Sequence, residues 1–119
     1  MRVLFWTDWF LPSIGGVEVF SARLLPALVR KGYEITVVAG HHRAGLPEQF
    51  DCDGVDVRRF WFHPALAAND VGGVAQMLAQ VSALKRAVAP QLIHLNTLGP
   101  SVLFHLESMR RSRVPVLLT

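Results

Sequence analysis

Two short, uninterrupted apolar runs limit what this chain can fold into: Arg2 to Trp6 (RVLFW) and Glu34 to Ala39 (EITVVA). A strand with one wet face alternates apolar and polar residues. These runs do not alternate, so both faces must be covered. Between them Val17, Phe20, Leu24, Leu25 and Leu28 recur at helical spacing, and Gly32 is placed to end that helix. Strand, helix and strand in this order make a unit whose strands run parallel. Pro26 falls inside the helical pattern, and a bend is expected near Ala22 to Pro26.

The pattern continues along the chain. Gly40 to Gly54 reads as a long polar loop with His41, His42 and Pro47, followed by a strand at Val55 to Phe60. Its alternation of Val55 and Val57 with Asp56 and Arg58 places it nearer a sheet edge. Trp61 to Ala68, with Pro64, reads as a connection, and Asn69 or Asp70 can cap the helix that follows. That helix carries Val74, Met77, Leu78, Val81, Leu84 and Val88 on one stripe and stops at Pro90. A fourth strand is expected at Gln91 to Leu95, a turn at Asn96 to Pro100, a helix at Ser101 to Arg113 and a fifth strand at Val114 to Thr119. Strands alternating with helices give an α/β fold, a Rossmann-like doubly wound parallel sheet of about five strands. The expected order is 3-2-1-4-5. Ligands of such sheets bind beyond the carboxyl ends of the strands where the order reverses. That point lies between the strands at Val3 and Ile93, and it brings Gly15-Gly16 beside the Asn96 turn.

The turn from Pro12 to Glu18 (PSIGGVE) is the candidate site. Its glycine pair lets backbone approach a ligand closely, and the helix start aims free N–H groups at it, as a phosphate floor needs. It is neither the G-x-G-x-x-G dinucleotide turn nor a Walker A loop, because the spacing is wrong and no Gly-Lys-Ser/Thr follows. Asp8 directly follows the first strand and can accept from substrate hydroxyls or cap backbone of its own loop. Glu18 suits the helix dipole, and Trp6 and Trp9 suit packing. His41 and His42 sit at the carboxyl end of the second strand, His94 reads as a core histidine, and His63 and His105 have no partner nearby in sequence. No histidine pair has the H-E-x-x-H spacing, so no metal site is expected. Ser13 and Ser21 lack the G-x-S-x-G context of a serine hydrolase.

Composition removes other classes. Half the residues, 51%, are hydrophobic, which excludes a disordered chain. The net charge of +3 is spread out, and the basic clusters at Arg58-Arg59 and Arg110 to Arg113 lack interleaved aromatics, so no nucleic-acid partner is expected. Cys52 is the single cysteine, which excludes an internal disulfide and fits a reducing compartment. No run approaches the roughly 18 apolar residues of a membrane span.

The run MRVLFWTDWFLPSIGGVE, then Leu24-x-x-x-Leu28-x-x-x-Gly32-Tyr33-Glu34-Ile35-Thr36-Val37-Val38, then PQLIHLN resembles the N-terminal half of the group 1 glycosyltransferases, also called family 4. The likeness covers nearly the whole chain. It implies one half of a GT-B architecture, in which two Rossmann-like domains face a deep cleft. The N-terminal domain mainly binds the acceptor and the C-terminal domain the sugar nucleotide. The resemblance implies retention at the anomeric carbon, a nucleotide-sugar as co-substrate, no bound cofactor, and Gly15-Gly16 reaching the donor phosphates or the acceptor. Substrate or phosphate binding is accordingly expected at Gly15, Gly16, Asp8 and Asn96. Asn96 stands where the family often has a second histidine. The E-x7-E region of the family belongs to a C-terminal domain, so no catalytic residue is assigned within residues 1–119.

The expected partners are a nucleotide-sugar donor, a sugar, lipid or glycan acceptor, and the C-terminal donor domain, since the sequence stops within an apolar strand. Self-association through that edge strand and peripheral contact with a membrane are further expectations. The expected location is the cytoplasm, including the inner face of the membrane. Two other readings stay open: a flavodoxin-like module that binds a small anion without catalysis, and a structural or interaction domain.

Overall fold

The computed structural model describes residues 1–10, 16–41, 44–96, 98–109 and 112–119. The chain runs β1 (Arg2–Trp6), α1 (Gly16–Arg30), β2 (Glu34–Gly40), β3 (Gln49–Cys52), β4 (Val55–Phe60), α2 (Phe62–Ala67), α3 (Val71–Val88), β5 (Leu92–Leu95), α4 (Val102–Ser108) and β6 (Val116–Leu118). The sheet has six strands in the order β3-β4-β2-β1-β5-β6. β4, β2, β1, β5 and β6 pair in parallel, which is the expected order of the five anticipated strands.

The sixth strand corrects the sequence reading. β3 lies inside the stretch expected to be loop and pairs antiparallel with β4, Cys52 opposite Val55. Asp53 and Gly54 join the two with φ of 53° and 88°, as a two-residue hairpin turn requires. β4 is therefore one strand in from the edge. The Trp61 to Ala68 connection contains α2, which holds Pro64 in its first turn, where a missing N–H costs nothing. α4 and β6 are shorter than expected, and the apolar Leu103 and Leu106 of α4 are exposed while Val102, Phe104 and His105 are buried.

The strands alternate their side chains between two cores. Leu4, Trp6, Val38, Phe60, Ile93 and Leu95 face α2, α3 and α4, with Phe62, Met77, Val81, Leu84, Val102 and Phe104 opposite them. Phe5, Ile35, Val37, Ala39, Val55 and Val57 form the other core with Leu25 of α1 and Phe10. Burial on both faces explains why β1 and β2 read as continuous apolar runs. α1 continues through Pro26 to a glycine cap at Gly32, whose φ is 99°. Gly32 N–H donates to Val29 O at 3.0 Å and Tyr33 N–H to Leu28 O at 3.2 Å, which satisfies two end carbonyls. Phe20 is not in the core and is 64% exposed. α3 begins at Asp70, whose carboxylate accepts from Gly73 N–H at 3.0 Å.

Candidate functional site

The strand order reverses between β1 and β5, and both strands leave the sheet there at their carboxyl ends. α1 starts at Gly16 on this edge. Its first N–H groups have no partner within the helix, so the edge carries a local positive end. Gly15 lies outside the described residues, as do Pro12, Ser13 and Ile14.

Asn96 follows β5 and links three elements. Its N–H donates to Trp6 O at 2.8 Å, which extends the ladder past β5. Its side-chain Nδ2 donates to Ser21 Oγ at 3.3 Å, in the second turn of α1. Its Oδ1 accepts from the Thr119 hydroxyl at 3.4 Å, and that hydroxyl also meets His94 Nε2 at 2.9 Å. The Asn96 turn therefore sits against the opening turns of α1, as the topology requires.

Asp8 is buried, 7% exposed, at the end of β1. Its Oδ1 accepts from Ser101 N–H at 3.0 Å, and His63 Nε2 lies 3.3 Å from the same oxygen. Its carbonyl accepts from Gly40 N–H at 2.9 Å. The backbone that the Asp8 carboxylate caps is thus not its own loop but the turn after β5. Two glycines make room: a Cβ on Gly40 would come within 2.7 Å of Asp8 O, and one on Gly99 would fall on the Asp8 carboxylate. His63 comes from α2 and stacks on Trp9, with ring centroids 4.6 Å apart and planes 10° from parallel. Sequence reading missed His63, Gly40, Gly99 and Ser101, because each acts through partners distant in the chain.

The other histidines are structural in their contacts. His41 is buried, stacks on Trp61 at 3.7 Å, and donates through Nε2 to Leu46 O at 2.9 Å. His42 lies outside the described residues. His94 packs edge-on against Phe5 at 4.8 Å, and burial lowers its pKa. Among the described residues no three His, Cys, Asp or Glu side chains gather as metal ligands would. Among them, too, no helix is long and apolar enough to cross a membrane.

Trp6 connects the edge to the core behind it. Its Nε1 donates to Ser101 Oγ at 3.0 Å, and its ring packs on Phe62 and His105. Lys85 Nζ donates to Ser108 Oγ at 2.8 Å and lies 2.9 Å from His105 Nδ1. Burial pushes the Lys85 ammonium from its ordinary 10.5 down to about 8. Burial, helped by the Lys85 charge, pushes His105 from 6.5 down to about 4. For Lys85 the unfolded chain holds a proton that the folded chain has lost between pH 8 and 10.5, so stability rises with pH across that window. For His105 the same sign holds between pH 4 and 6.5, and stability is lost as pH falls through it. Lys85→Met is expected to flatten the upper rise. Melting temperatures of both proteins between pH 8 and 10.5 check this, and a constant difference across the window refutes it.

A family model described as Glycosyltransferase Family 4 matches residues 14–119. A structure of sucrose-phosphate synthase from Thermosynechococcus elongatus aligns with a TM-score of 0.75 at 13% identity, covering 98% of this chain and 32% of that one. A second structure of sucrose-phosphate synthase from the same organism aligns with a TM-score of 0.67 at 12% identity, covering 99% of this chain and 62% of that one. This chain thus spans about a third of the first structure and 62% of the second. At such identities the likeness is one of fold. Among curated proteins none matches the chain in sequence.

Proposed function

The chain belongs to Glycosyltransferase Family 4, and on that premise we propose that it is the N-terminal, acceptor-side domain of a GT-B enzyme that moves a sugar from a nucleotide-sugar donor with retention. The observation that carries this reading is the opening of α1 at Gly16 on the edge where β1 and β5 diverge, tied to the Asn96 turn through Ser21. Backbone N–H groups at a helix start stabilise the negative charge of a diphosphate without a protonated side chain. As the sugar departs, that charge grows on the leaving group, and fixed donors facing it lower the barrier. Gly15 and Gly16 are the proposed floor. Asn96 positions α1 against the sheet, and Asp8 fixes the turn after β5 that borders the same edge.

This reading makes the chain one wall of a cleft. The opposite wall is a C-terminal donor domain, and the acceptor is a sugar, lipid or glycan. Nucleotide-sugar is co-substrate, with no resident cofactor, and the place of action is the cytoplasm or the inner membrane face. The test is a transfer assay with a panel of nucleotide-sugars, run on the full-length protein and on residues 1–119 alone. Full-length protein is expected to transfer and the 119-residue chain to give no turnover. Robust transfer by the short chain, or none by the long one with any donor, overturns the proposal.

A further inference from the structure

A cavity lies away from the β1–β5 edge. It opens between the end of β4, α2 and α3, has a volume of about 370 Å³, and shares no lining residue with the Asp8, Gly16 and Asn96 set. Glu48, Arg59, Trp61, Asp70, Gln76 and Gln80 contribute to its wall. The size suits a small molecule, since ligand pockets begin near roughly 300 Å³.

The chemistry of the wall narrows the occupant. Two carboxylates stand against one guanidinium, so an anionic ligand such as a phosphate is disfavoured. Gln76 and Gln80 lie one helical turn apart on α3, both exposed, and each amide can donate and accept. Hydroxyl groups likewise donate and accept, so a ring bearing several of them matches amides beside charges of both signs. Trp61 adds an aromatic surface for the apolar side of such a ring.

The wall is also held in place before any ligand arrives. His41 braces Trp61 by stacking at 3.7 Å with planes 12° from parallel, and Trp61 Nε1 donates to Glu48 Oε1 at 3.4 Å. Arg59 donates to Pro47 O at 2.6 Å and lies 4.3 Å over the Phe50 ring. Little side-chain freedom is left there to lose on binding. From the aromatic wall, the paired amides and the balance of charge we propose that this cavity is a binding site for a neutral saccharide ring. It is separate from the phosphate floor at Gly16.

The test uses full-length protein labelled with fluorotryptophan and followed by fluorine NMR. The Trp61 signal is identified by its loss in Trp61→Phe. Glucose, galactose, mannose and their disaccharides are expected to shift this signal saturably, and a hexose phosphate to shift it far less. Gln76→Ala with Gln80→Ala removes two exposed amides without touching the core and is expected to weaken binding about tenfold. Gly16→Leu is expected to leave the titration unchanged, which separates this site from the transferase reading. The proposal is overturned by a Trp61 signal that no sugar moves, by equal binding of the hexose phosphate, by an unchanged Kd in the double variant, or by a Kd that changes with Gly16→Leu.

Discussion

Gly99→Ala is expected to destabilise the protein by about 3 kcal/mol, a fall in Tm of roughly 12 °C. The reason is the space over Gly99, which the Asp8 carboxylate already fills. Asp8 is short, and it is 7% exposed, so it has no free swing away from a new methyl group. If it moves, Ser101 N–H loses its acceptor at 3.0 Å and His63 loses its contact at 3.3 Å. Hydrogen bonds to a charged group are each worth about 1.5–3 kcal/mol, and leaving a buried donor unpaired adds to that. If Asp8 stays, the turn after β5 must shift, which pulls Ser101 Oγ from Trp6 Nε1. A double-mutant cycle with Asp8→Ala separates this from a general dislike of a side chain at Gly99. Without the carboxylate, the added methyl should cost far less than it does alone. Equal costs in both backgrounds, measured by thermal and urea unfolding, would show that Asp8 is not what constrains this glycine.

That contact marks the boundary of what a sequence can reveal. Asp8 and Ser101 stand 93 residues apart, and no local pattern links them. Asp8 could be named as a site candidate because it directly follows a buried strand, but its partner could not. His63 was hidden for the same reason, since it reaches Asp8 from α2. The parallel strands were legible because burial on both faces leaves a run without polar interruptions, as in EITVVA. Their order followed from the winding rule, which makes the switch between β1 and β5 the place to look.

Other departures from the expected pattern carry a local signal in the sequence. Asp53-Gly54 is a strong hairpin dipeptide, and it predicts two flanking strands. The preceding strand, Gln49–Cys52, is short and only half apolar, so it reads as polar loop. In α1 the helical spacing was right but the buried face was turned. Ser21, Leu25 and Pro26 are buried, whereas Phe20 points outward. A helix covered on a narrow stripe by a twisted sheet leaves large residues outside, and periodicity alone fixes the stripe only to within a residue or so. The Lys85 and His105 pair arises where α3 packs on α4, a contact that no motif announces.

On the proposed transferase reading, replacing Gly16 by leucine in the full-length protein is expected to lower kcat/KM by about 100-fold while the fold stays intact. Gly16 is the first residue of α1. Leucine is a better helix former than glycine, so helix propensity predicts an equal or slightly higher Tm. The loss comes instead from the ligand side. A phosphate held by N–H groups at a helix start needs the backbone bare, and a four-carbon side chain there competes for that space. Single donors to a developing anion are worth about 10²–10³ in turnover, which sets the scale. If the turn binds the diphosphate mainly in the transition state, kcat falls and the apparent KM for donor changes little. If it binds ground state and transition state alike, KM rises instead. Arg23→Leu, on the exposed face of the same helix, is the control and should leave both constants unchanged. A Gly16→Leu protein with normal activity would remove the helix start from the proposed donor site. The chain would then keep its family and its fold, and the proposed phosphate contact would have to come from the proposed C-terminal domain.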